Sequence, residues 1–238
     1  MPQWQQEEEK MIRQKTGYKG STEKWRVFLS EWQEQIAAIT GGGNFDFQNF
    51  DGTNNAKYLN EKFNNLPKSY LEFIEAGGNN LLSIANWEDP IAGYPSFFEK
   101  EKVDLFKKYQ EKYDEYNQDD YAYDIEIDAD YFKYSGGNTE YDLNDLEKSL
   151  LIGEEGPGQV YGIFLLNPIH ISEDKEWEGW FWAPNITGGI PRRYPSFAHL
   201  VAQKYVTDLV LMGKSSEPIL YFNKDWEDSK ISEIIEII

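Results

Sequence analysis

Apolar residues early in the chain recur every three or four positions. Trp25, Phe28, Leu29, Trp32, Ile36 and Ile39 share one face of a helix, and the glycines at 41–43 stop it. A more polar helix is expected before it, over residues 4–15. Residues 44–65 are rich in Asn, Gly and Phe without a period, and read as a loop with room for one short helix. In residues 66–74 Pro67 stands where a helix starts, apolar positions follow at helical spacing, and Gly77-Gly78 ends the pattern. Residues 81–84 open a strand. Ser96 and Glu99 have the spacing of a capping box, which predicts a helix over 97–116.

The period then changes from 3.6 to 2. Over residues 123–132, Tyr-Asp-Ile-Glu-Ile-Asp-Ala-Asp-Tyr-Phe, acidic and apolar side chains alternate, predicting a strand with Asp124, Glu126, Asp128 and Asp130 on one face. Residues 142–151 look helical and 153–158 form a turn-rich break. Strands follow at 160–166, apolar throughout, and at 177–182, wide and aromatic. Ser196 is a natural N-cap for a helix over 197–212, in which Phe197, Leu200, Val201, Tyr205 and Leu209 form one face. A short strand is expected at 218–222, and Ile231, Ile234, Ile235 and Ile238 make a final helical stripe. Tyr-Pro-Ser-Phe occurs at Tyr94 and again at Tyr194, with nothing repeating around it. The fold class is α+β, with a mixed or antiparallel central sheet flanked by helices, in a single domain over 1–238 whose residues 1–43 are helical.

Composition adds a core and a charge. With 238 residues, 40% hydrophobic and 16% aromatic, the chain can fold around a full core. Aspartate and glutamate number 42 against 23 lysines and arginines, a formal charge of −19. Such a chain repels nucleic acid and anionic membranes and attracts cationic proteins. The bland alternative is that acidity serves solubility. Cysteine is absent, which excludes disulfides, thiolate metal sites and cysteine nucleophiles and fits a reducing cytoplasm. The opening residues, with Glu7-Glu8-Glu9, lack the basic and apolar regions of an export signal, and no apolar run approaches a membrane span of about 20 residues.

Catalytic signatures are missing from the sequence. The two histidines, His170 and His199, have no Gly-x-Ser-x-Gly elbow to serve, and the glycine pairs at 77, 136 and 188 match no nucleotide-binding loop. A pair of hydrolytic carboxylates is defined in space rather than in sequence, so this alternative stays open. The acidic ladder lacks the glycine and distal glutamate of a calcium loop, and a strand spreads same-face carboxylates about 7 Å apart. Its readings are a weak site for a hard cation such as calcium, a solvated strand face, or a docking face, where a cationic partner would turn mutual repulsion into attraction. Tyr121, Tyr123 and Tyr131 flank it, and tyrosine suits interfaces as well as cores.

Four segments together resemble the SUKH superfamily, α+β domains of fungal cell-wall regulators and of bacterial immunity proteins against polymorphic toxins. They are Leu66-Pro67-x-x-Tyr70-x-x-Phe73 with Gly77-Gly78, Val160-Tyr161-Gly162-Ile163-Phe164-Leu165-Leu166, Glu176-Trp177-Glu178-Gly179-Trp180, and Arg193-Tyr194-Pro195-Ser196-Phe197-x-x-Leu200. Two features depart from the family pattern: Lys175 stands where a glycine is usual, and residues 97–153 are long enough to read as an inserted helix–strand segment. The resemblance implies a cytoplasmic protein, not an enzyme, that neutralises a basic toxin domain such as a nuclease without cofactor or metal. It leaves the oligomeric state open. The expected contact residues are Asp124, Glu126, Asp128, Asp130, Tyr121, Tyr123 and Tyr131, whereas Trp177, Trp180, Arg193 and Tyr194 are expected to hold the core. A regulatory scaffold, as in the fungal members, is the alternative.

Overall fold

The structure, a computed structural model, describes residues 15–40, 45–83, 94–110, 143–155, 162–182, 192–211 and 224–238. These fall into two compact units, one drawn from residues 17–100 and 198–238, the other from residues 1–16 and 101–197.

The first unit is mainly helical. Helix α1, Thr22–Thr40, buries Trp25, Phe28, Leu29, Trp32 and Ile36 as the spacing requires, while Ile39 is exposed. Helix α2, Thr53–Phe63, occupies the stretch without a period. It buries only Ala56 and Leu59, too narrow a stripe to register as periodicity. Helix α3, Lys68–Glu75, begins after Pro67, which is extended, and buries Tyr70, Phe73 and Ile74. Gly77 then turns the chain with φ +86°, and at Gly78 an added Cβ would lie 2.2 Å from the Phe73 ring, so a side chain there would have to displace that ring. Strands β1, Leu82–Ser83, and β2, Tyr94–Pro95, form a short antiparallel pair.

The second unit is built on a sheet. Strand β3, Asp104–Leu105, precedes a 3₁₀ turn at Phe106–Lys108. Helix α4, Leu143–Lys148, leads into β4, Leu150–Glu155, and β5, Gly162–Ile171, β6, Trp177–Trp182, and β7, Arg192–Tyr194, follow. All neighbours pair antiparallel in the order β3-β4-β5-β6-β7. The class is α+β with an antiparallel sheet. Ile163 and Leu165 on one face of β5 and Phe164 and Leu166 on the other are all buried, so the centre of this sheet reads as apolar throughout. Helices α5, Phe197–Leu211, and α6, Lys224–Ile237, complete the chain and from residue 198 onward belong to the first unit, with Ile231, Ile234, Ile235 and Ile238 buried.

Two expectations are overturned. No helix starts at Phe97: Asp104 and Leu105 pair instead with Leu151 and Leu150 of β4, and the local cap signal yields to this non-local pairing. The helix expected over 142–151 is confined to α4, because Leu150 and Leu151 are drawn into register with Leu166 and Leu165, and Gly153 lies in the strand rather than in a break. The two Tyr-Pro-Ser-Phe copies also diverge. The second opens α5, whereas the first ends β2 with no helix after it. No helix among the described residues is long and apolar enough to cross a membrane.

Candidate functional site

Asp124, Glu126, Asp128, Asp130, Tyr121, Tyr123 and Tyr131 lie outside the described residues, as do the helix expected at 4–15 and the strand expected at 218–222. The flanks of the acidic segment are described, and they meet. Phe106 N–H donates to Ser149 O at 2.8 Å, and Lys107 Nζ donates to Glu147 Oε2 at 3.0 Å. Lys108 holds Asp104 at 2.6 Å, and Tyr109 Oη donates to Lys102 O at 2.9 Å, so the 3₁₀ turn is tied to its own strand. Residues 111–142 therefore separate two segments that touch each other, and among the described strands β3 stands at one edge of the five-stranded sheet.

The second polar feature sits on one face of the β5–β6–β7 sheet. Arg193 pairs across strands with Trp180, which puts Glu178, two positions along β6, at its diagonal. The long guanidinium reaches across: Arg193 Nε donates to Glu178 Oε2 at 3.0 Å and Nη2 to Oε1 at 2.9 Å. Trp180 Nε1 donates to Glu178 Oε2 at 2.8 Å, and the guanidinium lies 5.5 Å from the Trp180 ring centre. The Glu178 side chain is 4% exposed and that of Arg193 12%. This fork braces the sheet. Trp177 and Trp180 are buried and Tyr194 is half-buried.

Asn167, opposite Glu178, marks a break in the ladder, since the next β5 residue in register is Ile171, opposite Trp177. Pro168, with no N–H to offer a ladder, falls in that break. Asn167 Oδ1 accepts from Ile169 N–H at 2.8 Å, and its buried Nδ2 has no hydrogen-bond partner among the described residues.

The β5–β6 turn carries the third cluster. Ser172 Oγ and Thr16 Oγ1 both donate to Asp174, the latter at 2.8 Å, and Thr16 N–H adds a bond at 3.0 Å. Burial pushes the Asp174 carboxyl up, but the hydrogen bonds from Ser172 and Thr16 outweigh it and hold the group below 3.8. Lys175, in the position where the resemblance calls for glycine, has φ +62°, the left-handed conformation that glycine favours.

In the helical unit, α5 carries a cluster that the periodicity does not reveal. Lys204 Nζ donates to Asp208 Oδ1 and Trp32 Nε1 of α1 donates to Asp208 Oδ2 at 3.0 Å, with Asp208 fully buried. The signal in the sequence is a Lys and an Asp four apart on a helix whose other polar line, His199, Gln203 and Thr207, runs along a different face. His199 on the same helix is half-buried. Among the described residues no group of three or more His, Asp or Glu side chains is placed to hold a metal ion. No family model, curated protein or solved structure matches the chain.

Proposed function

We propose that the chain is an immunity protein of the SUKH type, acting in the cytoplasm, which binds a basic toxin domain and covers its active site or substrate groove. The observation that carries this reading is where the charge lies. Residues 111–142 hold eleven acidic and two basic side chains, so close to half of the net charge of −19 belongs to one segment, the one that contains the alternating ladder. Like charges at that density repel each other and raise the energy of the free protein, whereas a cationic partner relieves the repulsion on contact. The flanks of this segment are tied together at one sheet edge, so its chemistry can vary without disturbing the strands that carry the resemblance.

Neutralisation works by occupancy rather than turnover. A nuclease groove is lined with lysine and arginine to hold phosphates, and an acidic segment offers the same charge complement as the substrate. Long-range attraction raises the association rate, while Tyr121, Tyr123 and Tyr131 supply contact area at low entropic cost. Coexpression of the chain with a basic toxin domain taken from a neighbouring gene is expected to restore host growth. Changing Asp124, Glu126, Asp128 and Asp130 together to Lys is expected to abolish protection while leaving the urea unfolding midpoint unchanged. Full protection by that variant would remove the ladder from the interface, and lack of protection by the unchanged chain would remove the immunity role itself.

A further inference from the structure

Helix α5 gives apolar packing little to choose from. Phe197, Ala198, Leu200, Val201, Ala202 and Val206 are all buried and span about two thirds of the helix circumference, leaving a narrow polar line of His199, Gln203 and Thr207. An apolar arc that wide can bury similar area in several rotations, so hydrophobicity alone specifies its seat poorly.

Against that background stand Lys204 and Asp208, with side chains 3% and 0% exposed. The ion pair between them lies within one helix and says nothing by itself about where α5 docks. The third member does. Trp32 Nε1 on α1 donates to Asp208 Oδ2 at 3.0 Å, and one turn away Gln35 Nε2 donates to Tyr205 Oη at 3.2 Å. The Tyr205 ring meets Phe28 and Trp32 edge-on, each at 5.1 Å between centroids. Rotating or sliding α5 would leave the carboxylate buried without its indole donor, so alternative seats are penalised by an unmade bond to a charge. Replacing a buried ion pair by apolar groups is often neutral or stabilising, so stability is a weak reason to keep one here. Fixing register is the better attested role for a polar group in an apolar helix contact.

We infer that Lys204, Asp208 and Trp32 form a registration lock, which selects one docking of α5 against α1 among several that apolar packing would accept. The test follows the Trp32 indole N–H in a ¹⁵N–¹H correlation spectrum, identified as the peak lost in Trp32→Phe. The unchanged chain is expected to give one Trp32 peak. Lys204→Met with Asp208→Leu is expected to unfold in urea in a single transition no earlier than the unchanged chain, yet to show the Trp32 peak doubled or broadened. One sharp peak in that variant would overturn the lock, because apolar packing would then suffice to choose the seat. Earlier unfolding, or failure to fold, would overturn it too, by making the cluster a source of stability. Lys204→Gln with Asp208→Asn keeps an oxygen to accept the indole N–H and is expected to retain one peak; doubling there would show that this bond does not select the seat.

Discussion

Removing the Arg193 side chain is the sharpest perturbation of the sheet. Arg193→Ala deletes two charge-assisted bonds, at 3.0 and 2.9 Å, from a Glu178 carboxylate that stays buried with the Trp180 indole as its remaining donor among the described residues. Breaking a buried pair by taking away one partner costs about 3–5 kcal/mol, because the charge left behind is uncompensated. The Arg193 side chain is 12% exposed, so water can enter the vacated space and solvate the carboxylate in part. The expected loss is therefore at the lower end, about 3 kcal/mol. Arg193→Lys keeps the charge but not the fork, and one lost bond to a charged group is worth about 1.5–3 kcal/mol. Changing both partners to Met should cost less than Arg193→Ala alone, since no charge is then stranded. Urea unfolding followed by tryptophan fluorescence reads all three variants. A loss under about 1 kcal/mol for Arg193→Ala, the range of exposed pairs, would refute the claim that the fork is desolvated and braces the sheet.

Three further outcomes follow from single residues. Lys175→Gly should raise stability by about 0.5–1 kcal/mol, since relief of the left-handed strain at φ +62° outweighs the added chain entropy; a lower urea midpoint would contradict this. Gly78→Ala should cost about 1–3 kcal/mol, because its Cβ would meet a Phe73 ring already packed against Trp25 and Phe97 at 5.2 and 5.0 Å, and a wild-type midpoint would show that this ring yields. Asp174 has a folded pKa below its ordinary 3.8, so its contribution is present above that value and lost as pH falls through the folded pKa. Asp174→Asn should therefore lower the melting temperature at pH 7 and narrow its gap to the unchanged chain on acidification below about pH 4, whereas an equal gap at both pH values would contradict the linkage.

Long periodic segments were legible in the sequence because their burial is local information. The stripe of α1, the Pro67 start and Gly77 stop of α3, the aromatic run of β6 and the Ser196 start of α5 each follow from spacing and backbone chemistry within about a dozen residues. Elements decided by distant partners were not. Strand β3 is two residues long and exists because Asp104 and Leu105 find Leu151 and Leu150, which the Ser96 and Glu99 spacing cannot foresee. The buried polar contacts are equally non-local. Trp32 and Asp208 are separated by 176 positions, and Glu178 meets Arg193 only through strand pairing. Lys175 shows the opposite case, where a residue that departs from the resemblance still adopts the backbone conformation the glycine would supply.

The most direct test of the account is the salt dependence of capture. If the proposed immunity role holds, the association rate of the chain with its basic toxin domain, measured by stopped flow between 50 and 500 mM salt, falls by at least about tenfold, as for an electrostatically steered encounter. The variant with Asp124, Glu126, Asp128 and Asp130 all changed to Lys should associate slowly at every salt concentration. A rate that is independent of salt, and unchanged in that variant, would contradict the claim that the acidic segment is what meets the basic partner.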